Sequence, residues 1–150
     1  MITVAETAFH HEGNFDNLLS LILESKKANV EYVKFQVHID YDYLVSEKHS
    51  KYEDLKSLQF TYNQWSEALI LSNEIGLKVI VMPFCLTAIE LALNHEVSFL
   101  ELHSIQWNDL VLKSKMEKSG IPIIVSVGGR TLNEIEQMTE FFLKNLKILV

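Results

Sequence analysis

Short apolar, β-branched runs alternate along the chain with longer segments in which apolar residues recur at spacings of three and four. The short runs are typical of buried strands, and the longer segments are typical of helices that bury one face. Six strands are predicted, at residues 2–5, 32–37, 78–84, 98–102, 122–127 and 146–150. Strands that alternate with helices indicate βα units and a parallel sheet buried on both faces.

Local signals support these helices. Thr131 and Glu134 have the spacing of a capping box, and Gly76 and Gly120 stand where a helix ends before the next strand. Residues 37–61 form the one long connection, which is polar and aromatic; long connections in compact domains are often functional. With no internal repeat and no domain boundary, the pattern predicts one domain over residues 1–150.

Two arrangements of such units are open at this point. An open doubly wound sheet fits 150 residues, whereas a (β/α)8 barrel needs about 250 residues and eight strands. The last predicted strand reaches the final residue, and we interpret this as the mark of a fragment of a larger domain.

The charge and the apolar runs of the sequence indicate which kinds of binding partner to expect. The chain has 13 Lys and Arg against 20 Asp and Glu, a formal charge of −7. Because phosphate-backbone binding needs clustered cations, nucleic acid is not an expected partner. The first residues lack the features of a signal peptide, and the longest apolar run, residues 79–86, is too short to cross a membrane. We therefore expect a cytoplasmic protein with no membrane partner.

Six short motifs follow one another at predicted βα junctions. They are Val4-Ala5-Glu6, His10-His11-Glu12-Gly13, Lys34-Phe35-Gln36, Pro83-Phe84, Ser104 and Pro122-Ile123-Ile124-Val125-Ser126-Val127-Gly128. Together they resemble the amino-terminal part of the N-acetylneuraminate (sialic acid) synthase family. The resemblance implies a (β/α)8 TIM-type barrel of which only the first five to six βα units are present, with the later strands and an antifreeze-like domain absent.

The same resemblance implies a function. Family enzymes condense phosphoenolpyruvate with an N-acetylated amino sugar, release phosphate and use a divalent metal, Mn or Mg, whose ligands would lie outside this chain. We therefore expect a transferase of nonulosonic acid biosynthesis. The alternative is a catalytically inactive half-barrel that binds a partner chain, either the missing carboxyl-terminal half or a second copy in a homo-oligomer.

Lys34 and Gln36 are two residues apart on a strand, so their side chains share one face while Phe35 points to the other. In a barrel they point inward near the carboxyl-terminal end, and the resemblance assigns them to phosphoenolpyruvate. A salt bridge from Lys34 to an acid such as Glu6 is the compatible alternative. A buried carboxylate at Glu6 must be paired; the resemblance favours a catalytic place for it near the reacting carbon.

Ser126 precedes the helix that Thr131 caps, where backbone N–H groups favour anions. A simple βα turn is the alternative; the resemblance implies that Ser126 and Ser104 contact phosphoenolpyruvate.

The fourth strand departs from the family, with Glu101 in place of a lysine and Gln106 in place of a glutamate. At a separation of about 4 Å and a dielectric constant near 20, each charge pair is worth about 4 kcal/mol. The exchange at Glu101 therefore predicts weaker binding of phosphoenolpyruvate.

Other candidates are weaker. His11 matches a family histidine. For His10 and His11 alike, the alternative is an ordinary histidine in a surface loop, and for His10 this alternative is favoured. Cys85 follows an apolar strand and is expected to be a buried, inert thiol, because no base is patterned near it. We expect Tyr41, Tyr43 and Trp65 to pack a loop and a helix.

Overall fold

The computed structural model describes residues 1–143 and 148–149. In these two ranges six strands form one sheet in the sequential order β1-β2-β3-β4-β5-β6, with every neighbouring pair parallel. The strands are β1 (Val4–Glu6), β2 (Tyr32–Val37), β3 (Lys78–Pro83), β4 (Phe99–Leu102), β5 (Ile123–Val125) and β6 (Ile148–Leu149).

The sequential order decides between the two predicted arrangements. A doubly wound sheet carries strands out of sequence order, whereas consecutive parallel neighbours are the pattern of a (β/α)8 barrel. The prediction of the first units of a barrel is therefore confirmed. Of the predicted strand 146–150, residues 148–149 are strand, and residues 146, 147 and 150 lie outside the described part.

Within the described residues, seven α-helices connect the strands. They are α1 (Phe15–Lys27), α2 (Tyr41–Leu44), α3 (Tyr52–Lys56), α4 (Tyr62–Glu74), α5 (Leu86–Leu93), α6 (Leu110–Lys118) and α7 (Leu132–Leu143). Within the described ranges no helix is long and apolar enough to span a membrane. The long connection between β2 and β3 contains α2 and α3 as well as α4, so it is more ordered than a polar loop.

The core lies between the sheet and these helices. Val33, Phe35 and Val37 on β2 are fully buried in it, as are Leu100 and Leu102 on β4. Because successive strand residues point to opposite faces, the residues between them face the concave inner side of the sheet. The alternation that builds the core thus also selects which side chains can form a site.

Capping residues fix where two helices begin. The predicted box at Thr131 is present, with its backbone N–H donating to Glu134 and the Glu134 N–H donating back. The same reciprocal pair joins Thr61 and Gln64 at the start of α4. These contacts satisfy backbone donors that a helix cannot satisfy internally.

Gly13 anchors the loop between β1 and α1 against the long connection. Its φ angle is +72°, and a Cβ atom there would lie 2.3 Å from the carbonyl oxygen of Ser57. Both the left-handed backbone and the close approach require glycine. This contact fixes the loop that carries His11.

A cluster of aromatic rings and two histidines fills the space below that loop. His11 is fully buried and packs against Phe60 with the two rings tilted and their centroids 4.6 Å apart. His38, directly after β2, is 1% exposed and lies 5.1 Å from the Phe9 ring. Burial, with a smaller contribution from His11, lowers the pKa of His38 to about 4. The ring is therefore neutral near pH 7.

We predict that Gly13→Ala destabilises the protein more than Gly120→Ala does. Gly120 has the same φ of +72° but open space around the added Cβ, so it reports only the left-handed backbone penalty, about 1–2 kcal/mol. Urea denaturation of both variants measures the difference. Equal losses of stability would show that the contact with Ser57 relaxes without penalty.

We also predict that His38 makes stability fall in acid. Its pKa is about 4 in the folded protein and about 6.5 when unfolded, so the unfolded chain binds more protons between these values. Stability from this residue is complete above pH 6.5 and decreases towards pH 4, by up to about 3 kcal/mol.

His38→Phe is expected to remove this part of the pH dependence, whereas His10→Phe, at an exposed ring, should leave it intact. The measurement is the free energy of unfolding in urea across that pH range. If wild type and His38→Phe lose stability in parallel, the buried ring does not titrate as described.

Candidate functional site

The carboxyl-terminal ends of β1 and β2 place three of the predicted site residues together. Glu6 is the last residue of β1 and pairs in register with Lys34 on β2. The Lys34 Nζ lies 3.0 Å from Glu6 Oε2, and the amide of Gln36 donates to Glu6 Oε1 at 2.9 Å. The predicted shared face of Lys34 and Gln36, and the salt bridge to Glu6, are both present.

Glu101 and Ser126 complete the cluster from the other side of β3. Lys34 Nζ lies 3.0 Å from Glu101 Oε2, and the Ser126 hydroxyl donates to Glu101 Oε1 at 2.9 Å. Adjacent strands are about 4.8 Å apart, so the two long side chains bridge the width of β3 over its concave face. We call Glu6, Lys34, Gln36, Glu101 and Ser126 the Lys34 network.

The network keeps its charges because they are paired. Burial alone would lower the pKa of Lys34, but its bonds to Glu6 and Glu101 outweigh burial and raise that pKa. Burial would raise the pKa of Glu6, but the hydrogen bonds from Lys34 and Gln36 prevail and lower it. Near neutral pH, Lys34 is therefore an ammonium and Glu6 a carboxylate, which suits the network to hold polar or charged ligand groups.

Ser104 is placed differently from the other predicted residues. It begins a short 3-10 helix, Ser104–Gln106, beyond the end of β4. Its carbonyl oxygen accepts a hydrogen bond from Arg130 at 3.0 Å, and its hydroxyl is not part of the Lys34 network. The proposed contact of Ser104 with phosphoenolpyruvate thus has no support from the network, although the residue lies at the same end of the sheet.

Sequence reasoning did not single out Arg130. Its guanidinium lies 4.7 Å from the centroid of the Trp107 ring and 3.5 Å from the Glu134 carboxylate. It is the only arginine of the sequence and directly follows Gly128-Gly129 at a βα junction. That position in the sequence could have marked it as a candidate site residue. These contacts hold the Arg130 guanidinium beside the loop that follows β5.

The other residues singled out in the sequence differ in their burial. His10 is exposed, whereas His11 is buried, so the surface-loop interpretation holds only for His10. Cys85 is fully buried, as predicted, with its sulfur accepting from the Ile39 N–H at 3.4 Å. Tyr41 and Trp65 are buried. Tyr43 is more exposed and donates to Asp109 at 2.8 Å.

An apolar cavity of about 280 Å³ adjoins the network. It shares Gln36 with the network and is lined further by Phe9, His38, Phe84 and His103, among others. Half of its lining residues come from the connection that follows β2. A ligand held at the Lys34 network could therefore place an apolar group in this cavity.

The described residues lack a group of side chains that could bind a metal ion together. Among residues 1–143 and 148–149, no group of three or more His, Cys, Asp or Glu side chains could hold a metal ion. The described residues by themselves therefore supply no complete ligand set for the divalent metal, whose ligands the resemblance places outside this chain.

The chain matches curated proteins over most of its length. The chain is 29% identical over 132 residues to an uncharacterized protein of Methanocaldococcus jannaschii, covering 88% of this chain and 39% of the relative. It is 22% identical over 149 residues to the N-acetylneuraminate-9-phosphate synthase of Drosophila melanogaster, covering 91% of this chain and 40% of that enzyme. The chain thus spans well under half the length of these curated relatives.

A solved structure shows the same fold. The sialic acid synthetase of Leptospira borgpetersenii serovar Hardjo-bovis superposes with a TM-score of 0.89 at 20% identity, covering 99% of this chain and 53% of that one. The model of the NeuB family matches residues 21–149, which is most of the chain. This protein belongs to the NeuB family.

Proposed function

We propose that this chain supplies the first six strands of a barrel that condenses phosphoenolpyruvate with an N-acetylated amino sugar in nonulosonic acid biosynthesis. The observation that carries the proposal is the Lys34 network. Side chains from four separate strand ends converge at one end of the sheet, which is where (β/α)8 enzymes hold their substrates. Family membership and the similarity to sialic acid synthases support the same reaction class.

The residues have distinct roles in this proposal. Lys34 binds an anionic group of phosphoenolpyruvate, and Gln36 and Ser126 orient it by hydrogen bonds. Ser104 lies outside the Lys34 network, so its proposed contact with phosphoenolpyruvate rests on the family resemblance alone. The apolar cavity beside Gln36 receives the methyl end of the acylamino group of the sugar. Glu6 lies near the reacting carbon, and its lowered pKa keeps it ionised, so that it can accept a proton.

C3 of phosphoenolpyruvate forms a bond to the aldehyde carbon of the sugar, and the aldehyde oxygen takes up a proton from solvent. Water adds at C2 and gives one proton to Glu6, which returns it to solvent. The bond from C2 to the phosphate oxygen then breaks while the C2 hydroxyl gives its proton to the departing phosphate, so that phosphate and a keto acid are released. Because the described residues hold no complete ligand set for a metal, no step is assigned to one; Mn or Mg stays a proposal for the complete barrel.

We predict that Lys34→Ala lowers the affinity for phosphoenolpyruvate at least about tenfold, because it removes the cation of the network. Calorimetric titration with phosphoenolpyruvate, with and without Mn²⁺, measures it. Lys78→Ala is the matched control, since Lys78 begins β3 at the opposite end of the sheet and pairs with Glu31 at 2.9 Å.

Folding of the variants must be checked, because Lys34→Ala leaves two carboxylates without their cation. Ser126→Ala is a milder second variant that keeps the ion pairs and is expected to weaken binding less. No heat of binding with wild type, or the same affinity in Lys34→Ala, would reject phosphoenolpyruvate as the ligand of this site.

A second candidate function is a non-catalytic half-barrel that binds another chain. The observation in its favour is the sheet itself, because β1 and β6 each have one neighbour among the described strands. A closed barrel has eight strands, and open parallel edges invite pairing.

We predict for this second function that the chain forms a stable assembly in solution. Size-exclusion chromatography with light scattering gives the mass, and a dimer or larger species that persists on dilution would favour assembly. A monomer that also binds phosphoenolpyruvate would exclude the non-catalytic interpretation.

A further inference from the structure

The carboxylate of Glu101 fills the position between the two donors that an anionic ligand would need. Its oxygens lie 3.0 Å from the ammonium of Lys34 and 2.9 Å from the hydroxyl of Ser126. The side chain of Glu101 is only 9% exposed, so this is an enclosed contact rather than a surface pair. Ammonium and hydroxyl groups are the donors that carboxylate and phosphate oxygens of ligands accept from.

The charge balance of the network also disfavours an incoming anion. Lys34 also lies 3.0 Å from Glu6, so one ammonium faces two carboxylates. Arg130, in the loop after β5, donates to the Ser104 carbonyl and lies over the Trp107 ring. An incoming anion therefore meets an excess of negative charge and finds both donors occupied.

We infer that Glu101 is an internal competitor for the anion position and determines which ligands the Lys34 network accepts. An anionic ligand must displace the Glu101 carboxylate from Lys34 and from Ser126 before it can bind there. The displacement involves the side chain alone, because the Glu101 backbone is held in register with Ile124 of β5. This inference rests on the proposed function in taking the network as the ligand site.

The test replaces the charge and keeps the shape. Glu101→Gln retains an oxygen that can accept from Ser126 but removes the negative charge, so Lys34 keeps Glu6 as its only carboxylate. We expect inorganic phosphate and phosphoenolpyruvate to bind Glu101→Gln at least about tenfold more tightly than wild type in calorimetric titrations. Glu96→Gln, which removes one exposed charge just before β4, should bind like wild type.

Two further measurements locate the effect. Adding Lys34→Ala to Glu101→Gln should abolish the gain, which places the new binding at Lys34. The rise of the thermal unfolding temperature with added phosphate is an independent readout, since a ligand that binds only the folded state stabilises it. Glu101→Ser provides a second neutral variant, with a hydroxyl in place of the carboxylate.

The outcomes separate this inference from the proposed function. Equal affinities of wild type and both neutral variants for phosphoenolpyruvate would overturn the inference and leave the proposed function standing. Binding by the neutral variants alone would support the inference and remove phosphoenolpyruvate from the ligands of the wild-type chain. No binding by any of them would overturn both.

Discussion

The ammonium of Lys34 is the one charge on which the arrangement of the whole site depends. It holds the carboxylate of Glu6 on one side and that of Glu101 on the other, across the width of β3. Glu101, whose side chain is 9% exposed, would be strongly unfavourable as a carboxylate without its partner, whereas Glu6 is 41% exposed and would lose less. The three charged groups therefore fix one another, and Gln36 and Ser126 are oriented by the carboxylates that Lys34 holds. Without this cation the concave face would contain two mutually repelling acids at its open end.

The same strand alternation that buries Phe35 presents Lys34 and Gln36 to the concave face. Parallel pairing in sequential order then brings the ends of β1, β2, β4 and β5 to one edge. The site is thus a direct consequence of topology, since residues up to 67 positions apart contact one another only because consecutive strands lie side by side. In a doubly wound sheet the same residues would not meet, and the motif series would have no common location.

Much of this could be predicted from sequence, because it depends on local periodicity. The strand positions, the shared face of Lys34 and Gln36, the pairing of Lys34 with Glu6 and the cap at Thr131 each follow from residues a few positions apart or from adjacent strands. The contact of Glu101 with Lys34 could not, because it depends on the curvature of the sheet and on side-chain reach over β3. For the same reason the burial of His38 and the stacking of Arg130 on Trp107 were missed: each is set by a packing partner distant in sequence. Ordered helices within residues 37–61 were hidden by a weak apolar pattern.

Position 101 shows how fold and chemistry separate within one family. The backbone follows that of a sialic acid synthetase closely at 20% identity, so the strand ends converge regardless of what the individual side chains are. The charge at the centre of the site is nevertheless set by single residues, and a carboxylate here reverses the sign that a lysine would supply. Because a fold constrains the position of a side chain but not its charge, the ligand preference of this chain follows from Glu101 and its hold on Lys34. In our proposal, the competition between that internal carboxylate and an external anion is therefore the physical quantity that sets whether phosphoenolpyruvate binds at the Lys34 network.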